Sequence, residues 1–376
     1  RNLKQKRLIF TTDLKNAVLN SDIIFICVGT PTKKNSNSAD LKYVFNVANQ
    51  LNKIIKKYKI IVTKSTVPVT TGDKIQNVLK NLYRRKLVDI VSNPEFLREG
   101  EAIRDFLYPD RVVVGTESMK ANKILKSLYL PIVKKSSRYF NTSRRGAEMI
   151  KYASNAFLAT KISYINELAN LCEKTNVNIK DISIGMGLDQ RIGDRFLRAG
   201  PAYGGSCFPK DTRALVDTAN KFKTNLSIVK SVIKSNNLRK SLLTKKIDSI
   251  LSKKFSNKII TFLGVTFKPN TDDMREASSI PMINYLNKKG CKIRYYDPSG
   301  EKKEFKNLSN VKFYKNISSA CLKADLIIIH TEWNDFKFLN FKNLFKKKKF
   351  KIYDLRNIYS VDKMKKSKIN YISVGR

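Results

Sequence analysis

The sequence has few of the residues that usually build metal centres and acid–base pairs. Among 376 residues there is one histidine, His330, and five cysteines, at positions 27, 172, 207, 291 and 321, with no Cys-x-x-Cys pair. A single histidine excludes most histidine-based metal sites, and no metal site is predicted. Isolated cysteines, odd in number, indicate a reducing cytoplasm and not a disulfide framework. Chemistry must therefore use lysine, carboxylates, hydroxyls or a cysteine thiol.

Acidic residues are also scarce, with 31 Asp+Glu against 74 Lys+Arg and a formal net charge of +43. Such a charge is typical of proteins that neutralise phosphates of nucleic acids. However, lysine is spread along the whole chain, with one dense run at residues 346–349, and the common nucleic-acid motifs are missing. A coding bias toward AT-rich codons explains the composition better, so a nucleic-acid partner is not expected.

Long apolar runs are missing as well. The longest, such as residues 23–28 and 326–329, fall far below the roughly 20 residues that span a bilayer, and no secretory signal opens the chain. We therefore expect a cytoplasmic protein without a membrane partner. Since 42% of the residues are hydrophobic, each domain can bury a proper core.

Short apolar runs alternate with helical patterns at both ends of the chain. Strands are predicted at residues 22–28, 60–63, 88–91, 112–114, 259–263, 292–296, 326–329 and 352–355. Helices are predicted at residues 41–58, 71–82 and 279–288, with one uninterrupted helix from 143 to about 175. The chain is therefore predicted to be an α/β protein with two Rossmann-like, doubly wound parallel sheets joined by a long central helix. The predicted domains are residues 1–140, 141–252 and 253–376.

The most informative segment is Tyr203-Gly-Gly-Ser-Cys-Phe-Pro-Lys-Asp211. Its glycines allow close approach of a ligand, and its proline suits a first helical turn. Cys207 would then precede a helix N-terminus, where the dipole and Lys210 favour the nucleophilic thiolate and Asp211 can orient a partner. By itself, a cysteine is more often a small buried hydrophobic residue.

Two further groups of polar residues have the spacing of a site. Lys151 and Asn155 share one face of the long helix with Glu148, although such a stripe can also be merely solvated. Glu95 and Glu99 would share a face if their segment is helical, and a buried pair of carboxylates would suit proton transfer, or either could cap a helix. Thr30 and Thr66 follow strands, where ligands of doubly wound sheets bind and where hydroxyls also cap helices.

Together these residues resemble a known family, the UDP-glucose 6-dehydrogenases and their relatives that oxidise GDP-mannose or N-acetylated UDP-sugars. The motifs that carry the resemblance are Val28-Gly-Thr-Pro31, Lys64-Ser-Thr-Val-Pro68, Asn93-Pro-Glu-Phe-Leu-Arg-Glu-Gly100, Lys151 with Asn155, Arg191-Ile-Gly193, Tyr203 to Asp211, Phe267-Lys-Pro269, Asp272-Asp-Met-Arg-Glu276 and Thr331-Glu-Trp333. They cover the chain from about residue 20 to Arg356 in the family's order.

The resemblance implies an NAD-dependent oxidation of a UDP-sugar alcohol to a carboxylate, for polysaccharide precursor synthesis. Cys207 would form a thiohemiacetal and then a thioester, while Lys151 and Asn155 would stabilise oxyanion charge. Asp211, Glu99 and Thr66 would position or deprotonate water and substrate. The implied domain roles are NAD binding, dimerisation and UDP-sugar binding, in chain order.

The resemblance also implies binding residues and a homodimer or larger assembly. The implied substrate-binding residues are Glu95, Phe96, Leu97, Arg98, Glu99, Lys151, Asn155, Arg191 (across a subunit interface), Arg198, Tyr203, Gly204, Phe267, Lys268 and Arg356. The implied cofactor-binding residues are Thr30, Thr66, Glu99, Lys210 and Arg275.

The sequence departs from the family in one large feature. The family begins with a strand, a Gly-x-Gly-x-x-Gly turn and a ribose-binding acidic residue, none of which occurs here. The expectation is an N-terminally truncated first domain that lacks about 50 to 60 residues, or one and a half β-α units. Smaller departures are Ala202 and Leu355, each where glycine is common. Two alternatives stay open: a sister nucleotide-sugar dehydrogenase, or a UDP-sugar-binding remnant without catalysis.

Overall fold

The computed structural model describes residues 2–34, 36–133, 138–341 and 350–376. The lysine run at 346–349 lies outside the described residues. The chain divides into two compact units, one made of Arg1–Ser154 and Arg213–Thr224 and the other of Asn155–Thr212 and Asn225–Arg376. The predicted division into three domains stays a prediction.

The first unit is built on a five-stranded sheet with the strand order β1-β2-β3-β4-β5. Its strands are β1 (Ile23–Ile26), β2 (Lys59–Thr63), β3 (Val88–Ser92), β4 (Val112–Gly115) and β5 (Tyr139–Thr142). All residues of β2 are buried, because this strand is covered on both faces. The apolar runs of the sequence thus identified β1 to β4, whereas β5 was not predicted because its residues form no apolar run.

One junction in this sheet differs from the predicted parallel arrangement. β3 pairs with β4 in antiparallel orientation at Ser92 and Gly115, while the β1–β2, β2–β3 and β4–β5 pairs are parallel. A parallel neighbour needs a packed crossover helix. The only α-helix between these two strands, α5 (Ala102–Leu107), has no buried residue and cannot serve as one. The sheet is therefore mostly parallel.

Helices pack on the first sheet through apolar faces. They are α1 (Leu14–Leu19), α2 (Lys42–Ile54), α3 (Thr71–Val78), α4 (Lys80–Arg84) and α6 (Met119–Val133). In α2, the buried residues Val44, Ala48 and Leu51 follow the helical spacing read from the sequence. The predicted helix at 71–82 is interrupted at Leu79, where α3 ends and α4 begins.

The long helix is confirmed as α7, Arg144–Thr175, with 32 residues. It begins in the first unit and ends in the second. It is followed by α8 (Ile179–Gly187), α9 (Phe208–Lys221) and α10 (Ser227–Ile250). No helix in the described ranges is both long and apolar enough to cross a membrane.

The second unit contains a six-stranded sheet that is parallel throughout, with the order β11-β10-β9-β6-β7-β8. Its strands are β6 (Ile259–Leu263), β7 (Lys292–Tyr296), β8 (Val311–Phe313), β9 (Leu326–Ile329), β10 (Lys351–Asp354) and β11 (Asn370–Ser373). Its further helices are α11 (Ser279–Lys288), α12 (Ile317–Cys321) and α13 (Val361–Lys366). Two mostly parallel, helix-covered sheets make this an α/β protein of the predicted class.

Candidate active site

Cys207 lies immediately before the first residue of α9, as the sequence predicted. Its side chain is exposed, like that of Cys27, whereas the cysteines at 172, 291 and 321 are buried, and all five are free. The backbone N–H of Asp211 donates to the carbonyl of Cys207 at 2.8 Å, which closes the first turn of the helix. The thiol is therefore accessible at a helix N-terminus, where a thiolate is favoured.

Asp211 lies one turn beyond Cys207 and is almost completely buried. The Asn155 carboxamide Nδ2 donates to its Oδ2 at 2.6 Å, and the Lys210 ammonium contacts its Oδ1 at 2.7 Å. Each carboxylate oxygen thus has a donor, which satisfies a buried charge. Within the second unit, the structure brings together three residues that the sequence assigned to catalysis or cofactor binding.

The loop before α9 packs against a second predicted segment. A Cβ on Gly204 would lie 2.8 Å from the Glu276 carbonyl oxygen and 3.0 Å from Phe267 Cβ, so only glycine fits there. Arg356 donates from Nη2 to the Phe267 carbonyl at 2.8 Å and from Nε to the His330 carbonyl at 2.9 Å. Gly204, Phe267 and Arg356 therefore belong to one packed region, and Tyr203 precedes Gly204 in the chain.

Other predicted cationic residues of the second unit lie on its surface. Arg191 is 89% exposed and binds Asp189, with Nη2 2.6 Å from Oδ2. Arg275 makes a bidentate pair with Asp273, and the side chain of Arg198 is exposed. The Lys268 ammonium lies 5.5 Å from the centre of the Phe267 ring. The fold leaves Arg191 and Arg198 accessible, and no described contact ties either of them to Cys207.

Lys151 is buried in the first unit, on α7. Its Nζ lies 3.4 Å from Glu95 Oε1 and 5.2 Å from the centre of the Phe96 ring. The Arg111 guanidinium stacks on that ring at 3.8 Å. Glu148 and Asn155 on the same helix are buried too, so the interpretation of this face as a solvated stripe is wrong. A buried ammonium beside a carboxylate is instead typical of a functional site.

The segment that carries Glu95 and Glu99 is irregular, not helical, so the two carboxylates do not share a helix face. Glu95 Oε2 accepts from the backbone N–H of Leu97 at 2.5 Å, which turns the chain locally. Arg98 is bound to Asp105 through Nε and Nη2 at 3.0 and 2.7 Å, and its side chain is half exposed. Pro94 and the tight Glu95 turn explain the failure of the helical pattern.

Thr30 and Thr66 meet after the carboxyl ends of β1 and β2. The Thr30 hydroxyl donates to the Thr66 carbonyl at 2.8 Å, and the Ser65 hydroxyl donates to the Val28 carbonyl at 2.6 Å. A Cβ on Gly29 would meet no atom within 4 Å, so this edge borders open space. Ligands of doubly wound sheets bind outside the carboxyl ends of the strands, so this open edge is a candidate dinucleotide site.

Two ionisable residues near these motifs were not assigned a role from the sequence. The Lys64 ammonium is largely buried and contacts Asn93 Oδ1 at 3.1 Å and the Tyr129 hydroxyl at 3.4 Å. Burial lowers the pKa of Lys64 to about 8, partly opposed by the charge of Glu95. Lys64 is the first residue of the Lys64-Ser-Thr-Val-Pro68 motif, so the sequence held a signal that could have identified it. At this pKa its amine can hold or release a proton near neutral pH.

Glu148 is the second such residue. Its Oε1 accepts from the backbone N–H of Gly72 at 2.8 Å and from the Ser92 hydroxyl at 2.9 Å. Burial raises the pKa of Glu148 to about 7, although these donors oppose the shift. Its neighbours come from α3 and β3, far away in sequence, so only its helical spacing with Lys151 pointed to it.

His330, the one histidine, has a structural position. It is buried after β9, with Nε2 2.8 Å from Ser278 Oγ and Nδ1 3.1 Å from Thr331 Oγ1. Burial and the charge of Arg356 hold its pKa well below the usual range. Within the part of the chain that the structure describes, no cluster of His, Cys, Asp and Glu could hold a metal ion.

The fold is that of a nucleotide-binding α/β protein, with two mostly parallel sheets and polar residues after β1 and β2. An exposed thiol also lies at a helix N-terminus. Family models match all three parts: the NAD-binding domain over residues 1–133, the central domain over 145–238 and the UDP-binding domain over 261–361. The chain belongs to the UDP-glucose/GDP-mannose dehydrogenase family, and NAD is its cofactor.

Named relatives agree with this assignment. A UDP-glucose 6-dehydrogenase of Rhizobium meliloti is 43% identical over 100% of this chain and 86% of its own length. The UDP-glucose 6-dehydrogenase YwqF of Bacillus subtilis is 42% identical over 100% of this chain and 85% of its own length. A solved structure of a UDP-glucose dehydrogenase from Pyrobaculum islandicum aligns with a TM-score of 0.88 at 30% identity, over 99% of this chain and 83% of that one.

Proposed function

We propose that this chain oxidises UDP-glucose to UDP-glucuronate in two NAD-dependent steps through Cys207, and so supplies a precursor for polysaccharide synthesis. The names of the relatives support the choice of UDP-glucose, and the match to the UDP-binding domain supports a UDP-sugar. The observation that carries the proposal is the exposed Cys207 thiol one helical turn from the buried Asn155–Asp211–Lys210 network.

The chemistry uses the thiolate of Cys207 as a nucleophile. Oxidation of the C6 alcohol removes a hydride and a proton and gives an aldehyde, to whose carbon the Cys207 sulfur adds to form a thiohemiacetal. Loss of a second hydride leaves a thioester, which water hydrolyses to the carboxylate while the thiol is regenerated. When bound, NAD accepts the hydride of each oxidation, so two molecules are consumed for each product.

The chain's own residues have distinct roles in this proposal. Lys151 and Asn155, one turn apart on α7, donate to the oxyanion that forms at C6. Asp211, Glu99 and Thr66 position or deprotonate water and substrate. Asp211 is suited to this because its carboxylate is held between Asn155 and Lys210 and cannot reorient freely.

The remaining residues bind the two nucleotides. We assign the UDP-sugar to Glu95, Phe96, Leu97, Arg98, Glu99, Lys151, Asn155, Arg191, Arg198, Tyr203, Gly204, Phe267, Lys268 and Arg356. We assign NAD to Thr30, Thr66, Glu99, Lys210 and Arg275. The packing of Gly204 on Phe267 and the bond from Arg356 to the Phe267 carbonyl support the grouping of these three residues.

Cysteine substitution tests the mechanism. In the purified protein, Cys207→Ser should reduce NADH formation from UDP-glucose by at least about 100-fold, because a hydroxyl is a far weaker nucleophile than a thiolate. Cys27→Ser, which removes the other exposed thiol, is the matched control and should keep wild-type turnover. Wild-type turnover in Cys207→Ser would disprove the mechanism.

A substrate panel tests the choice of sugar. NADH formation should be fastest with UDP-glucose when it is compared with GDP-mannose and UDP-N-acetylhexosamines. A preference for one of the others would assign the chain to a sister dehydrogenase. UDP-sugar binding without NADH formation from any of them would support a binding protein without catalysis.

We also propose that the chain is a cytoplasmic homodimer or larger homo-oligomer. Phe157, Tyr164 and Leu171 lie seven residues apart on α7 and are 66%, 50% and 58% exposed. Such an apolar stripe along one helix face is suited to pair with a second copy. Sedimentation equilibrium at micromolar concentration should give at least twice the 43.1 kDa chain mass, and a monomer would contradict the proposal.

A further inference from the structure

The segment at residues 198–204, in which we assign Arg198, Tyr203 and Gly204 to the UDP-sugar, contains a strained residue. The backbone of Ala202 has a φ of 104°, in a region that residues with a Cβ rarely adopt. Such a conformation persists only where the surrounding structure over-determines it. The neighbours of Ala202 in the chain should therefore be held firmly.

On the C-terminal side of Ala202, one side chain holds both backbone groups of Tyr203. The backbone N–H of Tyr203 donates to Asn236 Oδ1 at 2.9 Å, and Asn236 Nδ2 donates back to the Tyr203 carbonyl at 3.1 Å. Asn236 lies on α10 and is buried. A carboxamide has both a donor and an acceptor, so it can bind a residue at both backbone groups as a neighbouring strand would.

On the N-terminal side, two side chains hold Gly200 in the same way. Its N–H donates to Asn166 Oδ1 at 2.8 Å, and its carbonyl accepts from Arg239 Nε at 3.1 Å. Arg239 also donates to the carboxamide of Asn170, and both helices that supply these residues, α7 and α10, are long. Both backbone groups of Gly200 and of Tyr203 are thus fixed by buried side chains.

We propose that Asn236 and Arg239 are positioning residues that hold the 198–204 segment, against the strain at Ala202, in the conformation that receives the UDP-sugar. The role in substrate binding rests on the proposed function. Neither residue needs to touch the substrate, because each acts through the backbone of the segment. Their loss should therefore weaken binding of the nucleotide sugar far more than it slows the chemical steps at Cys207.

Two adjacent asparagines on α10 provide a matched experiment. Asn236→Ala should raise the KM for UDP-glucose about tenfold, the effect of losing one or two buried hydrogen bonds, with kcat and the KM for NAD changed less than about threefold. Asn237→Ala should match wild type, since Asn237 is exposed on the same helix. Equal KM values in the two variants, or a loss confined to kcat, would overturn the proposal.

Relief of the backbone strain at Ala202 gives a second test, again read out as the KM for UDP-glucose. Ala202→Gly should restore part of the lost affinity in the Asn236→Ala background, since glycine adopts a positive φ without a steric penalty. Should Asn236→Ala not fold, Arg239→Lys tests the same point, because lysine keeps the charge but cannot bind Gly200 and Asn170 together in this geometry. Its KM for UDP-glucose should rise at least threefold, and a wild-type KM would contradict the proposal.

Hydrogen exchange separates this proposal from the proposed function. Amide exchange in residues 198–204 should be at least tenfold faster in Asn236→Ala than in Asn237→Ala, whether or not UDP-glucose is oxidised. Equal exchange in that segment would disprove the positioning role itself. Faster exchange in a protein that oxidises no nucleotide sugar would keep the structural role and reject the proposed function.

Discussion

The carboxyl edges of the two sheets each hold a buried carboxylate, and these differ in how completely they are satisfied. In the second unit, Asp354 at the end of β10 accepts on both oxygens. The backbone N–H of Arg356 donates to Oδ1 at 2.9 Å, and Oδ2 accepts from Ile358 N–H at 2.9 Å, from Tyr359 N–H at 3.3 Å and from the Tyr371 hydroxyl at 2.8 Å. Asp354 therefore organises the chain around it.

In the first unit, Glu148 is satisfied on one oxygen only. Oε1 accepts from Gly72 and Ser92, whereas the buried Oε2 has no hydrogen-bond partner among the described residues. Burial raises the pKa of both carboxylates, to about 7 for Glu148. In the second unit, the carboxylate of Asp354 therefore fixes the chain around the end of the sheet. In the first unit, Glu148 is a carboxyl group that titrates near neutral pH, one helical turn from Lys151.

The largest expected effect concerns the anchor. Asp354→Ala should lower the free energy of unfolding by about 3 kcal/mol, because it leaves four partly buried donors without an acceptor. Chemical denaturation measures this change. Asp362→Ala, at an exposed position on α13, is the control and should change it by less than about 1 kcal/mol. Equal losses in the two variants would show that Asp354 is not an anchor.

A smaller effect, dependent on pH, is expected for Glu148. As pH rises from about 4.5 to about 7, the unfolded chain releases the Glu148 proton and the folded protein retains it. The contribution of Glu148 to the free energy of unfolding should therefore fall by roughly 2 to 3 kcal/mol over this range and level off about one pH unit above it. Glu148→Gln has no proton to release and should lack this decline.

Denaturation curves between pH 4 and pH 8 measure the difference between wild type and Glu148→Gln. Glu167→Gln removes an exposed carboxyl from the same helix and should follow the wild-type pH dependence. If wild type and Glu148→Gln run parallel from pH 4.5 to pH 7, the contrast between the two edges is wrong.

Much of the fold follows from local patterns in the sequence. Predictions for α11, β7 and β9 match their observed bounds, since each is a periodic or continuous apolar segment bordered by polar residues. Local patterns did not reveal the antiparallel junction between β3 and β4, because strand direction depends on whether the intervening chain packs on the sheet. They also predicted a helix at residues 71–82 that the structure interrupts at Leu79.

Some residues of the candidate site could be predicted from the sequence and others could not. Cys207, Lys210 and Asp211 fall within one short motif, and Lys151 and Asn155 share a helical spacing, so the sequence points to all five. Neither Asn236 nor Arg239 carries any comparable signal. Their partners in the 198–204 segment lie more than 30 positions away and are backbone groups, which every residue possesses.

The sequence by itself determined the fold class, the family and most of the strands and helices, because periodicity and motif spacing are local properties. It did not reveal the strands β5, β8 and β11. Only the tertiary structure decided that Lys151 and Asp211 are buried beside their partners, that one oxygen of Glu148 is unsatisfied and that Ala202 is held in a strained conformation. Burial and hydrogen bonding set charge, pKa and strain, and they depend on neighbours that folding brings together from distant parts of the chain.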